Sequence, residues 1–245
     1  CMNAPRFLQI HTLHSYTAAL LNRDDTGQAK RLIYGGTTRT RISSQCLKRH
    51  WRMAETDPKA LQKIAGYVDS FRSRELVTIK VSGALRGHYA DDIVDAIDSG
   101  FQKIVYGDKA DKGKKNRQTL LLGAPEVAWL AREAAAIAAA ATDAATAQNA
   151  VDQFAKTANF KAMASNTALP GGLTAALFGR MITSDPEANI EAPMYVAHAF
   201  TVHAAEIEDD YFTAVDDLRR DEDSGADTIQ ETEINNGLYY GYVVI

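Results

Sequence analysis

Apolar and polar positions alternate from the start of the chain. In RFLQIHTL, residues 6–13, Phe7, Gln9, His11 and Leu13 alternate with Leu8, Ile10 and Thr12, which predicts a strand with Leu8 and Ile10 facing a core. A loop follows through SYTAALLNRDDTGQAKRL and ends at Gly35-Gly36. TTRTRI, residues 37–42, predicts a second strand, with Arg39 and Arg41 on one face and Thr38, Thr40 and Ile42 on the other. Ser43 or Ser44 then caps a helix running into QCLKRHWRMAE. The section from 58 to about 100 reads as charged, amphipathic helix, with RELVTIKVSG as a candidate short strand. Residues 107–118, lysine-rich and punctuated by glycine, read as an exposed loop. Pro125 opens a helix after Gly123, and residues 124–150 hold fourteen alanines, a strongly helix-favouring composition. After Pro170-Gly171-Gly172, the segments LTAALFGRM, APMYVAHAFTVHA and GLYYGYVVI read as strands, with an acidic stretch between the last two. The order predicts an α+β fold: a sheet domain interrupted by a helical one.

Composition narrows the class. A chain of 245 residues with 46% hydrophobic and 24% charged residues excludes wholesale disorder and collagen-like repetition. Two cysteines cannot build a disulfide framework. The most apolar helix candidate, 131–150, is interrupted by Arg132, Glu133 and Asp143, so no membrane span is expected. No targeting segment is visible, and the expectation is a soluble, cytoplasmic protein. Cys1 is not an initiator residue, so the start is expected at Met2 or upstream; a closing strand that ends at Ile245 raises the expectation of missing sequence.

The net charge of −4 hides a division. Residues 23–52 carry eight Lys/Arg against Asp24 and Asp25, whereas residues 205–233 carry twelve acids against Arg219 and Arg220. Lys48 and Arg52 share a helix face by their spacing, as do Gln45 and Arg49. Such a helix, with its N-terminus at the serines, has two readings: a phosphate-tracking surface or a solvated basic face with surface ion pairs. The lysine-rich loop 109–117 is open in the same way, between a nucleic-acid contact and plain solvation. The Asp24-Asp25 pair could serve a magnesium site or simply pair with Arg23. The histidines lack metal-ligand spacing and read as packing or hydrogen-bonding residues; Cys46 reads as core. Phe212 and Met181 each either anchor a core or protrude as wedges.

Beyond these separate readings, NRDD, the Gly-Gly before a basic strand, RISSQCLKR, GRMITS, AHAFTVHAAEIEDDYFTAVDDL and GLYYGY occur in one order. Together they resemble the backbone subunit of the type I-E CRISPR Cascade complex, the Cas-seven family, also called CasC. The resemblance implies an RRM-like palm sheet interrupted by helical fingers, with a thumb hairpin. Palm would cover 6–54, fingers 55–170, palm again 171–204, thumb 205–235 and a palm strand 236–245, with the closing palm elements missing. It implies a non-catalytic role: copies of the chain stack along a CRISPR RNA and present it to target DNA beside other Cascade subunits, with no cofactor, no metal and no membrane. The RNA-gripping residues would be Arg23, Lys30, Arg41, Ser43, Gln45, Lys48, Arg49 and Arg52. The base wedges would be Met181 in the fingers and Phe212 and Ile229 in the thumb. Two rival readings stand beside it: a type III-like subunit that cuts target RNA with Asp24 or Asp25, and a scaffold that never touches RNA.

Overall fold

The structure, a computed structural model, describes residues 6–107, 110, 117–157, 163, 171–182, 186–214 and 228–245, with the backbone alone at 213, 214 and 228–230. The chain forms two compact units, one of residues 1–53 with 194–245 and the other of residues 54–193.

The first unit is an antiparallel sheet. Its strands are β1 (Gln9–Ala19), β2 (Arg31–Tyr34), β3 (Thr37–Ile42), β6 (Tyr195–Val196), β7 (Ala199–Thr201), β8 (Glu206–Ala214) and β9 (Thr228–Val244). They run in the order β1-β9-β7-β3-β2, and β6 and β8 also pair with β9. β3 has the bounds that its sequence predicts. β2 lies inside the predicted loop. Gly35 and Gly36 adopt φ of 65° and 75°, the left-handed pair of a two-residue hairpin, and set Tyr34 opposite Thr37. β1 is also longer than predicted, reaching Ala19 through an irregularity between Tyr16 and Ala19.

β9 runs unbroken through the boundary drawn at 235–236, and its partner changes there from β8 to β1. One strand of seventeen residues pairs with β8 through its first half and with β1 and β7 through its second. The expected inward placement of Leu8 and Ile10 fails: both are exposed, because β1 is an edge strand of which only the far end is even half-buried. The enclosed side of the sheet instead holds Thr40, Ala199, Thr201, Asn235 and Tyr239. Ser43 caps helix α1 (Ser44–Arg52): its Oγ accepts the Cys46 N–H at 3.2 Å. Cys46 is half-buried.

The second unit holds the larger apolar core. It contains β4 (Ser70–Ser73), β5 (Leu120–Gly123), α2 (Asp91–Tyr106), α3 (Ala124–Ala140), α4 (Ala144–Thr157) and α5 (Gly172–Phe178). The alanine-rich run is two helices rather than one. Asp143 Oδ1 accepts the Thr146 N–H at 2.8 Å and starts the second, and the same bond holds the Asp143 carboxyl below its usual range. Val127, Leu130, Ala134 and Ala138 form the buried stripe of α3. A Cβ on Gly100 would lie 2.3 Å from Val151 Cγ1, so that glycine is what lets α2 and α4 approach closely.

Two strand expectations are overturned here. Residues 77–81 form a wide helical turn, closed by Ser82 N–H donating to the Val77 carbonyl, because Val77 and Val81 bury on one side. Residues 172–178 are helical, with Thr174 and Ala175 inward. Residues 171–193 also cluster with this unit and not with the sheet. Much of the predicted loop at 107–118 lies outside the described residues.

At the centre of this unit Glu126 and Arg180 form a buried ion pair. Arg180 Nη1 donates to both carboxylate oxygens at 2.7 and 2.8 Å. Glu126 Oε2 also accepts the N–H groups of Gly123 and Gly171, and Arg180 donates to the Ala188 carbonyl. The pair thereby ties the start of α3 to the segments on either side of α5.

Candidate nucleic-acid interface

The interface candidates of the first unit are joined through backbone bonds. In the segment before β2, Asp24 Oδ1 accepts the Thr26 N–H at 2.9 Å, the Thr26 hydroxyl at 2.7 Å and the Gln28 N–H at 3.0 Å, which folds the tip that follows Arg23. The Thr26 bonds, its hydroxyl foremost, hold the Asp24 carboxyl below its ordinary range. Asn22 closes the base of this turn: its carbonyl accepts the Lys30 N–H at 2.9 Å and its side-chain oxygen accepts the Ser43 N–H at 2.9 Å. Lys30 in turn accepts the Arg41 N–H at 2.8 Å. The fold thus draws together Arg23, Lys30, Arg41 and Ser43, which are spread over twenty-one positions of sequence.

On α1, Gln45, Lys48, Arg49 and Arg52 recur at helical spacing and form one polar, basic face. None of Arg23, Lys30, Lys48 and Arg49 makes an ion pair among the described residues. The other basic residues of the region are used by the fold. Arg31 pairs with the nearly buried Glu233 at 2.5 Å, and Arg39 donates to the carbonyls of Tyr34 and Thr201. A basic residue that braces its own sheet offers less charge to a ligand than one facing water.

His198 belongs to this cluster, although its spacing in sequence gives no sign of it. Its Nδ1 accepts the Ser44 N–H at 3.2 Å and lies 3.2 Å from Arg41 Nη1, so the ring is neutral with its proton on Nε2. Burial lowers its pKa, and the charges of Arg41 and Lys30 lower it further. Arg41 is held from both sides, since its Nε also donates to the Arg31 carbonyl. Asn22 gives equally little sign in sequence, its one signal being its place beside Asp24 and Asp25. Among the described residues no group of three His, Cys, Asp or Glu side chains stands ready to hold a metal ion, and no helix is long and apolar enough to cross a membrane.

The wedge candidates sit apart in the chain. Phe212 lies on β8 opposite Gln230 and is 43% exposed, and so anchors no core. Ile229 is in register with Thr213 on the same hairpin; its side chain lies outside the described residues. Met181 belongs to the second unit and is 67% exposed, its carbonyl accepting the Gln118 side chain. Lys109 and residues 111–116, most of the lysine-rich loop open to a nucleic-acid reading, lie outside the described residues.

A family model described as CT1975-like protein matches residues 8–245. No curated protein matches the chain. Among solved structures, a chain titled "CRISPR RNA-guided surveillance complex, pre-nicking" is similar at 28% identity and a TM-score of 0.64, with 98% of this chain and 64% of that one covered. Another, titled "CRISPR RNA-guided surveillance complex", shares the fold at 23% identity and a TM-score of 0.57, over 98% of this chain and 63% of that one. The chain therefore spans under two thirds of the length of either.

Proposed function

The chain belongs to the CT1975-like protein family, and from that premise we propose that it is a backbone subunit of a CRISPR surveillance complex that grips the guide RNA and presents it for pairing with target DNA. The sheet unit is the palm of the implied hand, the β8–β9 hairpin its thumb and the inserted unit its fingers. The observation that carries the reading is the cluster of cations without an ion pair among the described residues: exposed Arg23 and Arg49 and half-buried Lys30 and Lys48 stand near the capped start of α1, while Arg31 and Arg39 are used internally. Cations placed this way follow a ribose-phosphate chain without reading its sequence, which base pairing then supplies. The 28%-identical chain titled as part of an RNA-guided surveillance complex supports the same assignment. Further copies of this chain and the other subunits of the complex are its partners, with Phe212, Ile229 and Met181 as base wedges.

The role is non-catalytic. In this reading Asp24 serves its turn, through three accepted bonds. The test is co-purification of RNA with the complex assembled on wild-type chain and on Lys48→Glu. The expected result is one short RNA per particle, reduced by the substitution. An RNA content indifferent to Lys48→Glu, Arg49→Glu and Arg23→Glu together would leave a scaffold without RNA contacts.

A further inference from the structure

The sheet of the first unit has a second face, opposite the enclosed Thr40, Ala199, Thr201 and Tyr239. Register places on it Tyr34 of β2, Arg39 and Arg41 of β3, Phe200 of β7, Tyr240 and Tyr242 of β9, and His11 and Leu13 of β1. The rings form a continuous row. Tyr34 and Phe200 lie 5.1 Å apart between centroids, Phe200 and Tyr240 6.2 Å, Tyr240 and His11 6.0 Å, and His11 and Tyr242 4.8 Å. The Arg39 guanidinium stands 5.9 Å from the Tyr34 ring centroid. Tyr34 is 60% exposed and His11 is exposed, while Phe200, Tyr240 and Tyr242 are half-buried, so the row reaches solvent and is not a closed core.

Two further features say what covers such a face. Its positions on β1, β2, β3 and β7 carry no Asp or Glu, and its edge at β2 and β3 holds Lys30 and Arg41, so that end of the face favours an anion, whereas Glu206, Glu208 and Asp210 share its register only on β8, beyond Asn236. It also runs without a break into the candidate interface, because Arg41 and Lys30 belong to both. Apolar exposure of this kind marks a binding surface, and π-faces beside cations suit a ligand with flat rings on an anionic thread.

We propose that this aromatic row is a stacking platform for unpaired bases of single-stranded RNA, bases that the guide does not offer for pairing. The proposal rests on the RNA-gripping reading above and adds a second, non-electrostatic surface to it. The cations of α1 hold the phosphates; the rings of β2, β7, β9 and β1 hold bases.

The test uses the full chain and a short single-stranded RNA carrying 2-aminopurine, whose fluorescence falls when it stacks. Wild-type chain should quench the probe on binding. Tyr34→Ala should relieve the quenching and weaken binding about tenfold with an unchanged salt slope, since stacking releases no counterions. Tyr34→Phe should restore the quenching lost in Tyr34→Ala, because it keeps the ring. Arg49→Glu should change the slope and leave the quenching of bound probe intact. Quenching that is unaltered in Tyr34→Ala, with binding still weakened by Arg49→Glu, overturns the platform and leaves the RNA-gripping role standing. Probe that fails to bind wild-type chain overturns both. A Tyr34→Ala chain that changes its self-association without RNA, and still quenches, assigns the face to a second copy and overturns the proposal as well.

Discussion

The side-chain oxygen of Asn22 accepts the backbone N–H of Ser43 at 2.9 Å, and so fastens the turn that carries Arg23 to the cap of the basic helix. Asn22→Ala leaves that N–H without its partner while Ser43 stays buried. Removing such a bond costs about 1–3 kcal/mol. A lower melting temperature and an RNA affinity reduced severalfold are expected, with recovery in Asn22→Asp, whose carboxylate still accepts. Equal RNA affinity for Asn22→Ala and wild type would mean that the turn does not position Arg23.

Salt dependence measures how many cations engage phosphate. Each contact contributes about 0.7 to the slope of log affinity against log salt for a single strand. Lys48→Ala and Arg49→Ala should each lower the slope by about that amount. Arg39→Ala should leave it nearly unchanged, as that guanidinium is bonded to the Tyr34 and Thr201 carbonyls. Titrations at several salt concentrations decide the point.

His198 makes stability sensitive to acid. Its pKa lies below the usual imidazole value through burial, then through Arg41 and Lys30. The folded chain therefore binds the proton less readily than the unfolded one. The stability tied to the neutral ring is complete above about pH 6.5 and is lost as pH falls toward the folded value. Melting curves between pH 5 and 8 should show this decline, and His198→Gln should flatten it. A decline of the same size in His198→Gln would place the titrating group elsewhere.

The buried pair in the second unit is a stability element. Glu126→Gln leaves the Arg180 charge enclosed without its counter-charge, and breaking a buried pair in this way costs about 3–5 kcal/mol. Denaturant titration should show a loss of that order. A loss under about 1 kcal/mol would mean that the carboxamide and the Ala188 carbonyl suffice.

Phe212 is expected to act between copies. Phe212→Ala should disturb the regular spacing of assembled particles, seen by electron microscopy, more than it lowers the RNA affinity of a single chain. An equal loss in both would contradict the wedge role, and its 43% exposure argues against an effect on folding.

How far the sequence reached depended on how local each signal was. The strand 37–42, the Ser43 cap and the basic face of α1 follow from neighbours within a few residues, and all three are present as read. The helix start at Pro125 is equally local. Gly35-Gly36 reads in sequence only as the end of a loop, and the hairpin there escapes because RLIY is too short to announce itself as a strand. Segments of ambiguous pattern went the other way. VTIKV alternates well enough for a strand and LTAALF is a short apolar run that suits either element, and burial in the second unit made both helical. Leu8 and Ile10 show the same limit, since alternation says which residues share a face and not whether anything covers it.

The chain by itself therefore determined the α+β class, the basic helix and its cap, because helix periodicity and capping are decided within one turn of backbone. Only the tertiary structure decided which cations remain free and which brace the sheet, that Asn22 and His198 hold the interface together, and that five rings from four strands form one row. Those relations join positions more than 200 residues apart, as the 229 between His11 and Tyr240 show. They exist only after strand register is set, and register depends on every pair in the sheet at once.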